Sequence, residues 1–344
     1  MLTFCTLFDS YYLDKGLALY HSLEDVIDNF ILYVFCFDDK SYEILLGKNY
    51  SHMQVLHYTC FETETLLKLK KERSKAEYCW TCTSVIIEYV LDHYQVEGCT
   101  YLDSDLYFYA DPQILFDEIY RKDADVIIVP HHFKDNSKGR QMEERNGRYC
   151  VQFNYFRQSS NGRKVLKWWK EKCFEWCFDI PEPDRMGDQK YLNYFMNKFD
   201  GVYELEHLGG GVAPWNLEQY QFCDKKQNKL MMKTRTGEVF PLVFYHFQNL
   251  RYLPGNKVNI KSQTKNKRLK YRIYIPYLQE IEEIRKDLKK EYGLSFEPKK
   301  LQRSSNKWMG FLQRHFAAFK IQSFSDILDL NKLDKYIGDS TKTT

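Results

Sequence analysis

Strand-like and helix-like segments alternate over the first 130 residues, and this alternation restricts the fold more than any other feature of the chain. Each strand-like segment is a continuous apolar run, which indicates a strand buried on both faces. Such strands are typical of a largely parallel sheet covered by helices on both sides. The predicted strands are residues 2–8, 30–37, 53–58, 99–102 and 126–130, and the predicted helices are residues 15–27 and 81–94.

The chain beyond residue 130 is less regular but still contains both kinds of segment. Its apolar pattern predicts strands at 151–156 and 242–246 and helices at 162–177 and 188–199. Three consecutive glycines, Gly209-Gly210-Gly211, precede Pro214 in the stretch 208–215. We expect this stretch to be a loop that needs unusual backbone angles, either to bring the backbone close to a substrate or simply to make a tight turn.

The C-terminal part of the chain differs in charge from the rest. Residues 256–323 contain 17 lysines and arginines but 6 acidic residues, a net charge of +11, whereas the whole chain carries +3. We therefore predict a catalytic domain at 1–253, a basic and partly helical appendage at 254–337, and a disordered tail at 338–344. A basic appendage favours an anionic partner.

Within 301–323, bulky apolar residues recur at helical spacing among basic ones. This pattern predicts a basic amphipathic helix, and two interpretations of it stay open. The helix binds an anionic membrane surface that carries a lipid-linked acceptor, or it packs against the catalytic domain. Its apolar residues are Trp308, Phe311, Leu312, Phe316 and Phe319.

No stretch of the sequence predicts a membrane span, because the longest apolar run, 30–37, is far too short to cross a bilayer. The first residues lack the basic and apolar regions of a signal peptide. Ten cysteines without a secretory signal indicate reduced thiols. We expect a cytoplasmic protein, peripheral at the inner face of the membrane if its basic helix binds lipid.

Two cysteine pairs leave alternatives open. Cys79 and Cys82 have the spacing of a zinc or redox motif, and Cys173 and Cys177 lie on one face of a predicted aromatic-rich helix. No second pair with the same spacing accompanies the first. The simpler interpretation is that all four are small buried apolar residues.

The residues that indicate chemistry most strongly are Asp103-Ser104-Asp105, which follow a predicted buried strand. Side chains at positions i and i+2 of an extended segment point the same way, so both carboxylates can approach one hard cation. Such an ion neutralises a diphosphate on binding and on leaving. The alternative is a pair of solvated loop carboxylates.

The segment from Tyr101 through Asp105 to Phe108, followed by Ala110-Asp111-Pro112, resembles the nucleotide-sugar site of GT-A-fold glycosyltransferases, particularly the retaining family 8. The resemblance covers roughly residues 1–250. It implies an α/β, Rossmann-like mixed sheet, mostly parallel and flanked by helices. It also implies Mn²⁺ or Mg²⁺, a nucleotide-diphosphate sugar donor with UDP favoured, and a glycan or lipid-linked glycan acceptor in surface polysaccharide synthesis.

The resemblance also implies roles for individual residues. Asp103, Asp105 and the late His246 would hold the metal, although a histidine there could equally be part of the core. Asp188 and Gln189 would act beside the reacting carbon, although Asp188 could instead cap a helix. Independently of the resemblance, we predict that Trp215 and Asn216, which follow the glycine loop, contact the acceptor. The donor-binding residues would be Thr6, Phe8, Asp9, Tyr11, Lys75, Ser104 and Asn154.

The sequence departs from the family pattern in two places. Tyr155 and Phe156 follow Asn154 where the family has a small residue and then glycine. The Gly-x-x-Lys that grips the diphosphate after the metal histidine is replaced by a segment ending in Arg251, so Arg251 or Lys257 would take that role. The exact family and the stereochemical outcome therefore stay open.

Two other functions are weaker alternatives. A sugar-phosphate nucleotidyltransferase would carry a glycine-rich, basic loop after the first strand, where this chain has Phe8-Asp9-Ser10-Tyr11. A non-catalytic basic protein that binds nucleic acid would rest on the appendage alone and would leave the two carboxylates unexplained. We therefore expect no nucleic-acid partner.

Overall fold

The computed structural model describes residues 1–223, 229–296 and 326–336. The chain divides into two compact units, Met1–His246 and Phe247–Thr344. The helix predicted within 301–323 and the tail predicted at 338–344 lie outside the described residues. No helix in the described ranges is long and apolar enough to cross a membrane.

The first unit is built on a seven-stranded mixed sheet with the strand order β3-β2-β1-β4-β7-β6-β8. Neighbouring strands are parallel except where β7 joins β4 and β6, which it pairs antiparallel. The strands are β1 Leu2–Phe8, β2 Phe30–Cys36, β3 Met53–His57, β4 Gly98–Leu102, β5 Leu106–Phe108, β6 Val126–Pro130, β7 Tyr149–Arg157, β8 Val202–Glu204, β9 Tyr220–Phe222, β10 Met231–Thr234, β11 Val239–Pro241, β12 Phe244–His246, β13 Arg251–Leu253, β14 Lys257–Asn259 and β15 Ile327–Asp329. The predicted mixed, mostly parallel sheet is confirmed.

Helices cover both faces of this sheet. On one face Trp169 stacks on Phe156, with ring centroids 5.8 Å apart. On the other, Phe116 packs against Phe4 and Phe153 at 5.9 and 6.0 Å. The helices are α1 Leu13–Glu24, α2 Asp39–Lys48, α3 Glu64–Glu72, α4 Lys75–His93, α5 Gln113–Arg121, α6 Ser137–Asn146, α7 Ser160–Glu175, α8 Phe195–Lys198 and α9 Lys267–Tyr292.

Helix α4 begins six residues before the predicted start at residue 81. Ser74 and Glu77 form a capping box there, each side chain bonding the backbone N–H of the other residue. Lys75 is therefore the first residue of the helix instead of preceding it. Cys79 and Cys82 lie inside the helix, and all ten cysteines are free thiols.

The helix predicted at 188–199 is only partly formed. The chain makes a 3-10 turn at Lys190–Tyr194 and a single α-helical turn, α8. The glycines of the 208–215 loop are also used differently from the prediction, because none of the three has a positive φ. A Cβ on Gly209 would lie 2.0 Å from the carbonyl oxygen of Pro241, so close packing and not an unusual backbone angle requires glycine.

The second unit contains an antiparallel ladder of β13, β14 and β15 together with the long helix α9. A buried ion pair links α9 to the segment before β15: Lys270 Nζ lies 2.7 Å from Asp326 Oδ1, which also accepts a 2.8 Å hydrogen bond from Ser262. This contact fixes the C-terminal described segment to the helix.

Candidate active site

Three side chains that could hold a metal ion converge where β4 ends. Asp103 and Asp105 lie in the turn between β4 and β5, and His246 is the last residue of β12. Because β12 pairs antiparallel with β5, His246 lies opposite Leu106, next to the carboxylates. His246 Nε2 is 3.0 Å from Asp105 Oδ1 and 3.5 Å from Asp103 Oδ2, and the three ligand atoms lie within 4.8 Å of one another.

The orientation of His246 is set by Gln152 of β7. The Gln152 amide oxygen lies 2.8 Å from His246 Nδ1. An amide oxygen can only accept, so Nδ1 carries a proton and the neutral ring directs the lone pair of Nε2 at the two carboxylates. Three acceptor atoms facing one another require a proton or a cation between them. Two oxygens and one imidazole nitrogen suit Mn²⁺ or Mg²⁺, so these residues fit the predicted metal.

The ionisation of this cluster reflects burial and mutual attraction. Burial raises the pKa of Asp103 to about 7, although His246 opposes the shift. Burial disfavours the imidazolium of His246, but the neighbouring Asp105 carboxylate outweighs this and raises the histidine pKa. Without a metal, a proton on the cluster therefore takes the place that a cation would fill.

Trp215 packs against the ring of His246. Its ring lies between those of His246 and His131, with centroids 5.5 and 5.2 Å away, and its indole N–H donates to the His131 carbonyl at 2.7 Å. Asn216 is fully buried and donates to the carbonyls of His131 and Gly211. These contacts position His246 and the glycine loop. An acceptor contact by Trp215 or Asn216 stays a prediction.

Asp188 is a buried carboxyl group within electrostatic reach of Asp103. Its backbone carbonyl accepts a 2.8 Å hydrogen bond from the Trp169 indole, which fixes its position. Burial, followed by the negative charge of Asp103, raises its pKa to about 8, and Oδ2 has no hydrogen-bond partner among the described residues. The N-cap position of the following 3-10 turn is Gln189, which makes no side-chain cap hydrogen bond, and a role for Asp188 beside the reacting carbon stays a prediction.

The two residues after Asp188 anchor surrounding backbone. The Gln189 side-chain amide donates to the Asn146 carbonyl at the end of α6. The buried Lys190 ammonium donates to the carbonyls of Glu144 and Glu182. Gln189 therefore has its amide nitrogen engaged with the protein, and contact with a substrate would use its side-chain oxygen.

Asn154 is fully buried on β7, opposite Tyr101 of β4. Neither its amide oxygen nor its amide nitrogen has a hydrogen-bond partner among the described residues. Two unpartnered polar atoms are costly to bury, so this side chain is available to a ligand. Thr6 is also fully buried, and its hydroxyl has no partner within the described part of the chain.

The segment after β1 brings other predicted donor residues together. Asp9 accepts hydrogen bonds from the backbone N–H groups of Tyr11 and Tyr12 and forms an ion pair with Lys75. Tyr11 is about half exposed, with a relative accessibility of 47%. The resulting arrangement holds Tyr11 at the surface, where its ring can stack.

The remaining predicted donor residues have different surroundings. Phe8 is buried against Gly16 of α1, where even a Cβ would collide with its ring, so it packs the core beneath the segment. Ser104 is partly exposed between the two aspartates. Arg251 and Lys257 lie on β13 and β14 in the second unit, and donor contact by either stays a prediction.

Sequence reasoning missed Gln152 and the first turn of α1. Gln152 lies two residues before Asn154 on β7, but its contact with His246 joins residues far apart in the chain. Lys15 lies in the first turn of α1, the helix that packs against β5. Its ammonium lies 3.6 Å from the centroid of the Tyr12 ring. Among the described residues, Asp103, Asp105 and His246 are the group of acidic, histidine or cysteine side chains that could hold a metal, and the cysteine pairs form none.

A comparison with protein-family models gives no match. The Bacillus subtilis (strain 168) protein YfnF is 31% identical over 262 residues, which cover 74% of this chain and 84% of YfnF. The chain belongs to the family of YfnF. That name carries no activity, so membership of the YfnF family does not itself give a function.

Two solved structures are similar to this YfnF family member. The galactosyltransferase LgtC, in complex with donor and acceptor sugar analogues, gives a TM-score of 0.46 at 11% identity, covering 72% of this chain and 87% of LgtC. The apo form of mouse xyloside xylosyltransferase 1 gives 0.43 at 11% identity, covering 72% and 98%. Both proteins are glycosyltransferases. At these scores the activity of the YfnF family member has to be argued from its site.

Proposed function

We propose that this member of the YfnF family is a metal-dependent glycosyltransferase. In this proposal it transfers a sugar from a nucleotide-diphosphate donor, with UDP favoured, to a glycan or lipid-linked glycan acceptor. The observation that carries the proposal is the convergence of Asp103, Asp105 and His246 within 4.8 Å at the end of a strand in a mostly parallel sheet. Open α/β sheets bind ligands at this edge.

Asp103, Asp105 and His246 would hold Mn²⁺ or Mg²⁺, and a bound divalent ion supplies charge neutralisation for a departing diphosphate. The surrounding side chains would orient the metal-binding histidine. Gln152 keeps Nε2 of His246 directed at the carboxylates. Trp215 packs against the ring of the same histidine. Such supporting contacts orient metal ligands and tune their basicity.

Asp188 and Asn154 would serve the transferred sugar. Both are buried and both present polar atoms without a partner among the described residues, which is an arrangement that a bound ligand can complete. Ionised Asp188 would stabilise positive charge that develops on the sugar carbon. We propose retention of the anomeric configuration, as the resemblance to family 8 implies. NMR analysis of the product anomer tests this, and an inverted product would contradict it.

We also propose where the enzyme meets its acceptor: at an anionic membrane surface. The excess of basic residues at 256–323 supports an anionic surface near the acceptor, consistent with surface polysaccharide synthesis at the cytoplasmic side of a membrane. Co-sedimentation of the full chain with anionic and with neutral liposomes tests membrane contact. Equal recovery with both would argue against it.

A thermal-shift panel tests the donor. Binding to the folded state raises the melting temperature, so UDP-, GDP-, CMP- and dTDP-sugars are compared with Mn²⁺ present and with EDTA. We expect stabilisation by a UDP-sugar that depends on Mn²⁺ and disappears in Asp105→Ala. Stabilisation by none of the donors, or stabilisation unaffected by EDTA, would contradict the proposal.

A further inference from the structure

Lys15, in the first turn of α1, lies at the same edge of the sheet as the acidic pair. α1 follows the carboxyl end of β1, and Asp103 and Asp105 follow the carboxyl end of β4. These two strands are parallel neighbours, with Phe4 opposite Thr100. The residues that leave β1 and β4 therefore meet at one edge.

The packing of α1 against β5 places Lys15 level with Asp105. The Ser22 hydroxyl accepts a 3.0 Å hydrogen bond from the Phe108 backbone N–H, which fixes the height of the helix along the strand. From Ser22 back to Lys15 the helix spans about 10 Å, at about 1.5 Å per residue. From Phe108 back to Asp105 the strand spans about 10 Å as well, at about 3.3 Å per residue.

The Lys15 ammonium is held in place by a neighbouring aromatic ring. It lies 3.6 Å from the centroid of the Tyr12 ring, a cation–π contact that limits its freedom.

Charge balance gives this ammonium a role. A divalent ion between two carboxylates is neutral overall, so a diphosphate that binds the ion leaves net negative charge at the site. A compact ammonium is a common phosphate ligand. Resting on the function proposed above, we infer that Lys15 binds the diphosphate of the donor.

The test uses the full chain with Mn²⁺ and inorganic pyrophosphate, a probe that does not depend on the nucleobase or the sugar. Calorimetric titration should show that Lys15→Gln weakens pyrophosphate binding about tenfold or more, the effect of losing a charged hydrogen bond. Lys15→Arg, which keeps the charge, should stay within about threefold of the wild type. Lys167→Gln on α7, an exposed lysine, is the matched control and should bind as the wild type does.

A second titration with Mn²⁺ alone separates this role from that of a counter-ion for the carboxylates. Lys15→Gln should bind the bare cation as well as the wild type or better, because it removes a repelling charge. Unchanged pyrophosphate affinity in Lys15→Gln, with binding lost in Asp105→Ala, would overturn the inference and leave the proposed function standing. No pyrophosphate binding by the wild type with Mn²⁺ would contradict the proposed function and this inference together.

Discussion

Asp188 is a buried carboxyl group that prefers to stay protonated. Its pKa of about 8 lies above the ordinary aspartate value of 3.8. Between these two values the native protein holds a proton that the unfolded chain has released, so this group's contribution to stability is lost as the pH rises through that window. A buried acidic group whose pKa is shifted this far is typical of functional sites.

Asp188→Asn should therefore stabilise the metal-free protein while removing activity. The amide cannot ionise, so the gain in melting temperature over the wild type should grow between about pH 5 and about pH 8. Calorimetry in EDTA across this range measures the gain, with the exposed Asp200→Asn as the control. Parallel pH profiles for Asp188→Asn and the wild type would contradict the raised pKa.

Gln152 gives a second prediction at the scale of single residues. Gln152→Leu removes the acceptor that fixes the proton on His246 Nδ1, and loss of such a supporting contact typically weakens metal binding about 10- to 100-fold. Mn²⁺ titration measures the effect. Gln152→Glu, which keeps an acceptor oxygen, should retain most of the Mn²⁺ affinity. Gln158→Leu, directly after the other end of β7, serves as the control. If folded Gln152→Leu binds Mn²⁺ as tightly as the wild type, Gln152 does not position His246.

The strands and helices show which parts of the fold can be predicted from the sequence. The sheet was predicted from alternating strand-like and helix-like segments. Each segment can be recognised from residues close in sequence, because apolar runs and helical periodicity depend only on neighbouring residues. The i, i+2 spacing of Asp103 and Asp105 is local as well. The helix predicted at 188–199 proved shorter, since the chain around Asp188 is held by the contact with Trp169 and by the anchors of Lys190.

Contacts between distant segments could not be read from the pattern. His246 reaches the carboxylates only because β12 pairs with β5, and its role was expected from the family resemblance alone. The Gln152 contact gave no signal in the sequence, because a glutamine in an apolar strand can hydrogen-bond to many different partners. The glycines of the 208–215 loop suggested unusual backbone angles, whereas the structure requires them for lack of space.

Gly209→Ala tests the packing requirement at the scale of the loop. Its Cβ would lie 2.0 Å from the Pro241 carbonyl oxygen, so the loop or β11 must shift. We expect a loss of about 1–3 kcal/mol in the free energy of unfolding, as for other overpacked sites. Urea denaturation measures it. Gly211→Ala, where the nearest atom is a Val129 methyl at 3.2 Å, should cost less. Equal, negligible losses in both variants would contradict the packing role.

At the scale of the whole molecule, the acidic residues of the candidate metal site and the excess of basic residues lie in different stretches of the chain. The acidic cluster belongs to Met1–His246, and most of the basic excess belongs to 256–323. This division fits the proposed enzyme. The first unit would bind a cation and a diphosphate, and the basic unit would bind an anionic acceptor or an anionic surface. Nucleotidyl transfer gains no support, since the segment after β1 is occupied by the Asp9 and Tyr11 arrangement.

The central claim is that Asp103, Asp105 and His246 bind a divalent cation that anchors the diphosphate of the donor. Electron paramagnetic resonance of Mn²⁺, titrated into the full chain with and without UDP, tests it most directly. We predict a single saturable site, tighter with UDP and absent in Asp103→Ala and Asp105→Ala that melt as folded proteins. No saturable Mn²⁺ binding by the wild type, or equal binding by the two variants, would contradict the account.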